Sequence, residues 1–279
     1  RAQSMAASQP VVGQVNMAQA QKAVVALMKH AEKVKHEQSK SDLLADEDTI
    51  NLVIGLKTVP VVNRVKPYRI TVPHSLLPDH AEICLIVKDP QRVFKDKVTE
   101  QGIDGVTKVI GVSKLRKKYK EYELKRKLCA GYDLFLADDR VTSMLPHMIG
   151  KVFFQKKKQP IGIDCTKKNL RREVKAARDS TYLYLAGGSC SMVKVAHTGM
   201  TPEQVTANLA AVIAAVGDLV PKKWKNIQAL HIKTASSVAL PIFTSLPAEG
   251  LKIDVPKTKK PKEAKAKAAA ADDDSDSDA

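Results

Sequence analysis

The chain is short of cysteine, of long apolar runs and of negative charge, and each shortage excludes something. Only four cysteines occur in 279 residues: Cys84, Cys129, Cys165 and Cys190. None forms a C-x-x-C pair, and none has a histidine at metal-ligand spacing. A zinc site or a disulfide framework is therefore not expected, and a reducing compartment fits. Cys84 and Cys129 lie among apolar residues, as small buried side chains do. The apolar run at residues 209–216 falls well short of a membrane span, and Asp218 closes it, so no membrane partner is expected. No secretory signal is visible, and Met5 is the expected initiator.

Catalytic signatures are missing too. Gly187-Gly188-Ser189-Cys190-Ser191 lacks the glycine two places after the serine that a nucleophile elbow requires. Its place between two predicted strands makes it a hairpin loop. Gly102-Ile103-Asp104-Gly105 precedes a strand rather than following one, so it does not cradle a pyrophosphate. There is no P-loop lysine pattern. The histidines are scattered, and His197 and His231 fall in predicted strands. The expectation is a protein that is not an enzyme, with no cofactor, no metal and no small-molecule substrate.

Acid is scarce relative to base: 30 Asp and Glu stand against 46 Lys and Arg, a formal charge of +16. Five of the acids crowd into residues 272–279, and without them the charge is +21. A field of this sign recruits polyanions, of which nucleic acid is the commonest. The competing reading is a set of solvated lysines.

What is present alternates in character along the chain. Residues 6–15 are small and polar and are expected to be disordered. Asn16 is a plausible N-cap, and Met17, Ala20, Val24, Leu27, Met28, Ala31 and Val34 recur at helical spacing. Ile50, Leu52, Ile54 and Leu56 then alternate with less apolar positions, predicting a strand with one buried face. Residues 68–72 predict a second strand. Residues 83–87 are continuously apolar, as in a strand covered on both faces, and 106–112 and 134–137 resemble them. Helices are expected over 114–129 and 139–149, with Asp138-Asp139 capping the latter. Strands alternating with helices predict a parallel α/β unit over residues 79–165.

Beyond it, 168–179 reads as a basic helix with Val174 and Ala176 on its buried side. Residues 181–186 and 192–197 read as a hairpin joined across Gly187-Gly188. Thr201-Pro202-Glu203-Gln204 is a capping box, followed by the stripe Val205, Leu209, Val212, Ile213 and Val216, with Gly217 as the stop. A last strand is predicted over 227–234. Antiparallel character on both sides of the parallel unit suggests one α+β domain, residues 17–78 plus 166–250, with an α/β domain, 79–165, inserted. Residues 251–279, lysine-rich and then acidic, are expected to be disordered.

Several strings resemble the ribosomal protein L-one family. Thr49-Ile50-Asn51-Leu52 leading to Arg69-Ile70-Thr71-Val72-Pro73-His74-Ser75-Leu76 is similar to its first hairpin region. Asp133-Leu134-Phe135-Leu136-Ala137 with Met144-Leu145-Pro146 and Ile149-Gly150-Lys151 resembles the core of its inserted domain. Residues 222–234 look like the last helix-to-strand passage of eukaryotic members. These strings keep the family's order from about Met17 to Thr244. The resemblance implies a two-domain fold of α/β and α+β type, with a discontinuous first domain and a Rossmann-like α/β insertion. It also implies RNA binding, mainly by the first domain. Ala235-Ser236-Ser237 stands where the family carries an RNA-contacting Thr-Met-Gly. Residues 151–158 replace a glycine- and proline-rich loop. With the charged tail, these departures look like the family's nucleolar assembly-factor branch.

The expected function is therefore non-catalytic binding of precursor ribosomal RNA among the proteins of the preribosomal particle, in the nucleolus. The alternatives are a structural large-subunit protein of the mobile stalk, on the cytoplasmic ribosome, and a protein-interaction regulator with little RNA affinity. Candidate RNA-binding residues fall into four groups. The first is Lys114, Arg116, Lys117 and Lys118, interleaved with Tyr119 and Tyr122 as candidate stacking platforms. The second is the loop cluster Lys156, Lys157 and Lys158. Arg171 and Arg172 of the basic helix form the third. The fourth, by resemblance, is Thr49, Asn51, Lys233, Thr234, Ser236 and Ser237, whose polar groups suit 2′-hydroxyls and phosphates. Ser275 and Ser277 among aspartates are candidate phosphorylation sites.

Overall fold

A computed structural model describes residues 11–12, 14–38, 48–60, 66–78, 80–185, 187–245 and 252–253. Of the stretch 251–279 expected to be disordered, residues 252–253 instead pair as a strand with residues 58–59, and the rest, with Ser275 and Ser277, lies outside these residues. Of the start expected to be disordered, residues 11–12 and 15 lie in paired strands, and most of the rest lies outside the described residues.

Two short strands, β1 (Val11–Val12) and β2 (Val15–Asn16), pair and lead into α1 (Met17–Gln38). Asn16 caps that helix as expected, its Oδ1 accepting from Ala18 N at 3.0 Å. β3 (Thr49–Leu56), β4 (Thr58–Val59) and β5 (Tyr68–Thr71) follow. Next come β6 (Ile83–Val87), α2 (Gln91–Glu100), β7 (Val106–Gly111), α3 (Val112–Lys118), α4 (Tyr122–Ala130) and β8 (Leu134–Asp138). The short helices α5 (Leu145–Ile149) and α6 (Lys151–Gln155) precede β9 (Ile161–Ile163) and α7 (Leu170–Arg178). Then β10 (Ser180–Leu183), β11 (Cys190–His197), α8 (Pro202–Leu219), β12 (Ile227–Lys233), β13 (Leu240–Thr244) and β14 (Lys252–Ile253) complete the order.

Two four-stranded sheets dominate. One is antiparallel, ordered β11-β3-β12-β13, and joins a strand from before the parallel sheet to three from after it. Ile50, Leu52, Ile54 and Leu56 of β3 meet Val24 and Leu27 of α1 and Leu209, Val212 and Ile213 of α8 in one core. The other sheet is parallel, ordered β7-β6-β8-β9. All five residues of β6 are buried, as expected for a central parallel strand. One face packs residues of α3 to α6, such as Leu115, Leu128, Leu145 and Phe153. The other packs Val98 of α2 and Leu170, Val174 and Ala177 of α7.

Several expectations change. The buried stripe of α7 is Leu170, Val174 and Ala177, spaced i, i+4 and i+7, and Ala176 is only partly covered. The helix expected over 114–129 is two helices, because Tyr119 turns into the core and breaks the spiral. The helix expected over 139–149 begins only at Leu145, with Pro146 in its first turn. Asp138 spends its carboxylate on Arg140, not on a helix cap. The predicted hairpin across Gly187-Gly188 does not form: β10 pairs with β5 and β11 pairs with β3. Each strand finds a longer-range partner, and Thr181 Oγ1 donating to Lys194 O at 2.7 Å still ties the two together. Gly217 is no stop. It lies buried inside α8, which ends at Leu219 because Val220 precedes Pro221 and is extended.

Candidate nucleic-acid interface

Alternation along β3 puts its large aliphatics under the helices, so Thr49, Asn51 and Val53 point to the other face of the sheet. On that face the register sets Asn51 directly opposite Lys194 of β11 on one side and Lys233 of β12 on the other. Cross-strand neighbours of this kind have Cβ atoms about 5 Å apart. Two lysines thus flank a nearly buried amide, Asn51 being 7% exposed. Its Nδ2 donates to Thr49 O at 3.1 Å and to Thr49 Oγ1 at 3.4 Å, which fixes its orientation.

Lys194 was not a sequence candidate, although its place opposite the apolar side of β11 was the available signal. Its ammonium holds its proton less tightly than an ordinary lysine. Desolvation is the larger cause, and the charges of Lys158 and Lys157 add to it. The Lys194 side chain is nonetheless open to solvent. Lys194 is thus flanked by protein on part of its length while remaining accessible to water. The turn after α6 is therefore close enough to the sheet row to repel it. Lys158 is anchored there, its Nζ donating to Tyr132 O at 2.8 Å, and Lys157 takes the left-handed backbone conformation, φ 51°. Lys156 is exposed beside them. Among the described residues, no carboxylate pairs with Lys157, Lys158, Lys194 or Lys233.

The turn in the place of the family's Thr-Met-Gly is closed by its own side chains. Ser237 Oγ accepts from Thr234 N at 2.9 Å, and Thr234 Oγ1 accepts from Ser237 N at 3.2 Å. Thr234 is buried, so its hydroxyl shapes the turn, while Ser236 is presented to solvent.

The other candidates lie elsewhere. α3 packs beside β7, the edge strand of the parallel sheet, and buries only Leu115, leaving Lys114, Arg116, Lys117 and Lys118 exposed. Tyr119 is no stacking platform: it is buried, and its hydroxyl accepts from Lys108 Nζ at 3.1 Å. Tyr122 is 76% exposed, with Lys125 Nζ 5.6 Å from its ring centre. Arg171 lies on the outer side of α7 and reaches Asp104 at 3.5 Å, both side chains being well exposed, while Arg172 has no such partner among the described residues. No group of three His, Cys, Asp or Glu residues that could hold a metal occurs among the described residues.

A mixed α/β chain with one antiparallel and one parallel four-stranded sheet, and a row of lysines with no carboxylate paired to it among the described residues, defines a basic α/β protein. Residues 16–238 match the profile of the Ribosomal protein L1p/L10e family, and the chain belongs to that family. A Schizosaccharomyces pombe protein whose name assigns it to ribosome biogenesis is 40% identical over 227 residues, 78% of this chain and 61% of that protein. The mouse Ribosomal L1 domain-containing protein 1 is 32% identical over 241 residues, 83% of this chain and 52% of its own length. A Large ribosomal subunit protein uL1, from Chlamydomonas reinhardtii, is 32% identical over 133 residues, 48% of this chain and 61% of that protein. The chain thus spans between half and two thirds of the length of these relatives.

Proposed function

We propose that this protein binds precursor ribosomal RNA during ribosome biogenesis, in the nucleolus, alongside preribosomal proteins and without a catalytic step. The carrying observation is the row Lys194–Asn51–Lys233, with Lys157 and Lys158 near enough to Lys194 to act on its charge and, among the described residues, no carboxylate paired with any of these lysines. The charges of Lys158 and Lys157 act against that of Lys194, and a phosphate backbone entering beside them relieves that repulsion and releases counterions. Asn51 and Ser236 supply neutral polar groups suited to 2′-hydroxyls. The names of the fission yeast and mouse relatives support the assembly role.

The RNA-binding unit in this reading is an α+β domain of residues 17–78 and 166–250, with the α/β domain 79–165 inserted. Helix α7 lies across their junction, since it follows residue 166 but packs on the parallel sheet. The test is ultraviolet crosslinking in cells with sequencing of the attached RNA. Crosslinks to precursor ribosomal RNA are expected, and crosslinks confined to mature ribosomal RNA overturn the assembly role. That second outcome favours a structural stalk protein, the reading that the likeness to a uL1 protein supports.

A further inference from the structure

A second concentration of positive charge is built from elements that contribute nothing to the sheet row. An open hollow of about 590 Å³ lies between β5 and the start of α7, lined by Arg69, Lys167, Lys168, Asn169, Arg172 and Glu173 among others. Four of these are cations and one is an anion. Glu173 is already held by Lys167, whose Nζ lies 2.7 Å from its Oε1. Among the described residues, no carboxylate pairs with Arg69, Lys168 or Arg172.

The walls are held by bonds that leave these charged ends free. Lys97 of α2 donates through Nζ to Cys165 O at 3.1 Å and to Lys167 O at 2.7 Å. Gln101, just after α2, donates through Nε2 to Lys168 O at 2.6 Å. Its Oε1 accepts from Leu170 N at 3.0 Å and from Arg171 N at 3.2 Å. Arg69 is fixed by its Nε donating to Ser180 Oγ at 3.0 Å, which leaves the two terminal nitrogens of its guanidinium for a ligand. The backbone that carries the cations is thus set before any ligand arrives, which lowers the ordering cost of binding.

We infer that this hollow is a second phosphate-binding site, taking backbone phosphates of the RNA bound at the sheet row. The inference rests on the RNA-binding reading for the identity of the polyanion. Guanidinium groups match phosphate oxygens in a forked, two-bond geometry that a single ammonium cannot reproduce, and two arginines line this hollow. Among the described residues, no aromatic ring lines it and Asn169 is the only uncharged amide that does, so it positions the backbone without reading bases.

The experiment measures the affinity of the full chain for poly(A)·poly(U) duplex RNA over a range of salt, for wild type and three variants. These are Arg69→Gln with Arg172→Gln, Lys168→Gln alone, and Lys194→Gln with Lys233→Gln. Removing one phosphate-binding cation should reduce the slope of log affinity against log salt by about one. The arginine pair and Lys168→Gln are expected to flatten the slope, by about two and about one, independently of the flattening by the lysine pair. Among the described residues, the Lys168 ammonium holds no other group in place, so Lys168→Gln separates weaker binding from weaker folding if the arginine pair lowers the melting temperature.

A slope unchanged by the hollow variants but flattened by the lysine pair overturns the hollow and keeps the sheet row. The reverse pattern keeps the hollow and overturns the row. A wild type whose binding is insensitive to salt overturns both. Stabilisation by inorganic phosphate, or binding of poly-glutamate, that the hollow variants abolish while the RNA slope stays intact would assign the hollow to free phosphate or an acidic peptide, and so overturn it as an RNA contact.

Discussion

The side chain of Asn208 pairs with the backbone of His74 as one peptide pairs with another. Its Oδ1 accepts from His74 N at 3.0 Å and its Nδ2 donates to His74 O at 3.0 Å. The same Nδ2 also donates to Val195 O at 3.1 Å. Asn208 lies on α8 and is wholly buried, so one amide joins that helix to the turn after β5 and to β11. Asn226 repeats the device at Thr58, accepting from its N–H at 2.7 Å and donating to its carbonyl at 3.2 Å.

Removing the Asn208 amide strands three backbone groups with little water to replace it. Each stranded group costs about 1–3 kcal/mol. Asn208→Leu, close in volume, is expected to destabilise by at least about 3 kcal/mol in urea unfolding. A loss below about 1 kcal/mol would mean that these groups find other partners.

Gly217 makes a second contact that can be tested by genetics. A Cβ there would lie 2.7 Å from Trp224 Cε2, with the indole nitrogen nearer still. Alanine favours a helix interior over glycine by about 1 kcal/mol, so an exposed position would gain stability from the change. Here the clash should win, because overpacking costs about 1–3 kcal/mol. Trp224 also packs edge-on to Phe243 at 5.9 Å between ring centres, a contact that moving the indole would disturb. Gly217→Ala should therefore lower the melting temperature in the wild-type background and raise it in a Trp224→Leu background. The same sign in both would exonerate the indole.

How much of this was legible in sequence depends on the reach of the interactions. α1, with its Asn16 cap, β3, the continuously apolar β6 and the capping box at Thr201 all announce themselves within a few residues. The box forms as read, Thr201 N donating to Gln204 Oε1 at 3.1 Å. β9 has only three residues and β13 contains Pro241, so neither carries a periodic signal, and both exist because a sheet edge receives them. α2 buries only Val98 fully, with Phe94 one turn earlier partly covered, too short an apolar face to stand out in the sequence. The false hairpin followed local turn chemistry, whereas β10 and β11 each have a distant strand to pair with. Gly217 read as a helix stop because glycine often is one, and the indole seven residues later that requires it was not visible. The site divides the same way. Lysine-rich runs were visible, but the row that sets Lys194 and Lys233 beside Asn51 exists only through register.

The two exposed lysine groups should differ in what they contribute. Lys194→Glu puts a carboxylate where the lysine is already partly desolvated, so that charge there is screened less than on an open helix face. Reversing Lys114, Lys117 and Lys118 on α3 changes three fully solvated charges. Lys194→Glu alone should weaken RNA binding more than the triple reversal does, read as dissociation constants at one salt concentration. A larger effect from α3 would move the main contact to the edge of the parallel sheet.

Lys194 also makes binding depend on pH, with a sign that follows from its environment. Its pKa is lowered in the folded protein by desolvation and by Lys158 and Lys157. The unfolded chain therefore holds this proton to higher pH than the folded chain does. The strain of keeping it charged is present at neutral pH and is relieved as pH rises from the folded pKa to the ordinary lysine value. Stability should rise, not fall, through that window, and Lys194→Met should remove the rise. RNA acts in the opposite sense, because phosphates beside the ammonium favour the charged form and raise the pKa. Binding in that window should then take up a proton, and affinity should fall as pH increases, starting below the ordinary lysine range. Calorimetric titrations in buffers of different ionisation enthalpy measure this uptake directly. Uptake in the wild type that disappears in Lys194→Met places the phosphate at the sheet row, and uptake unchanged by the substitution places it elsewhere.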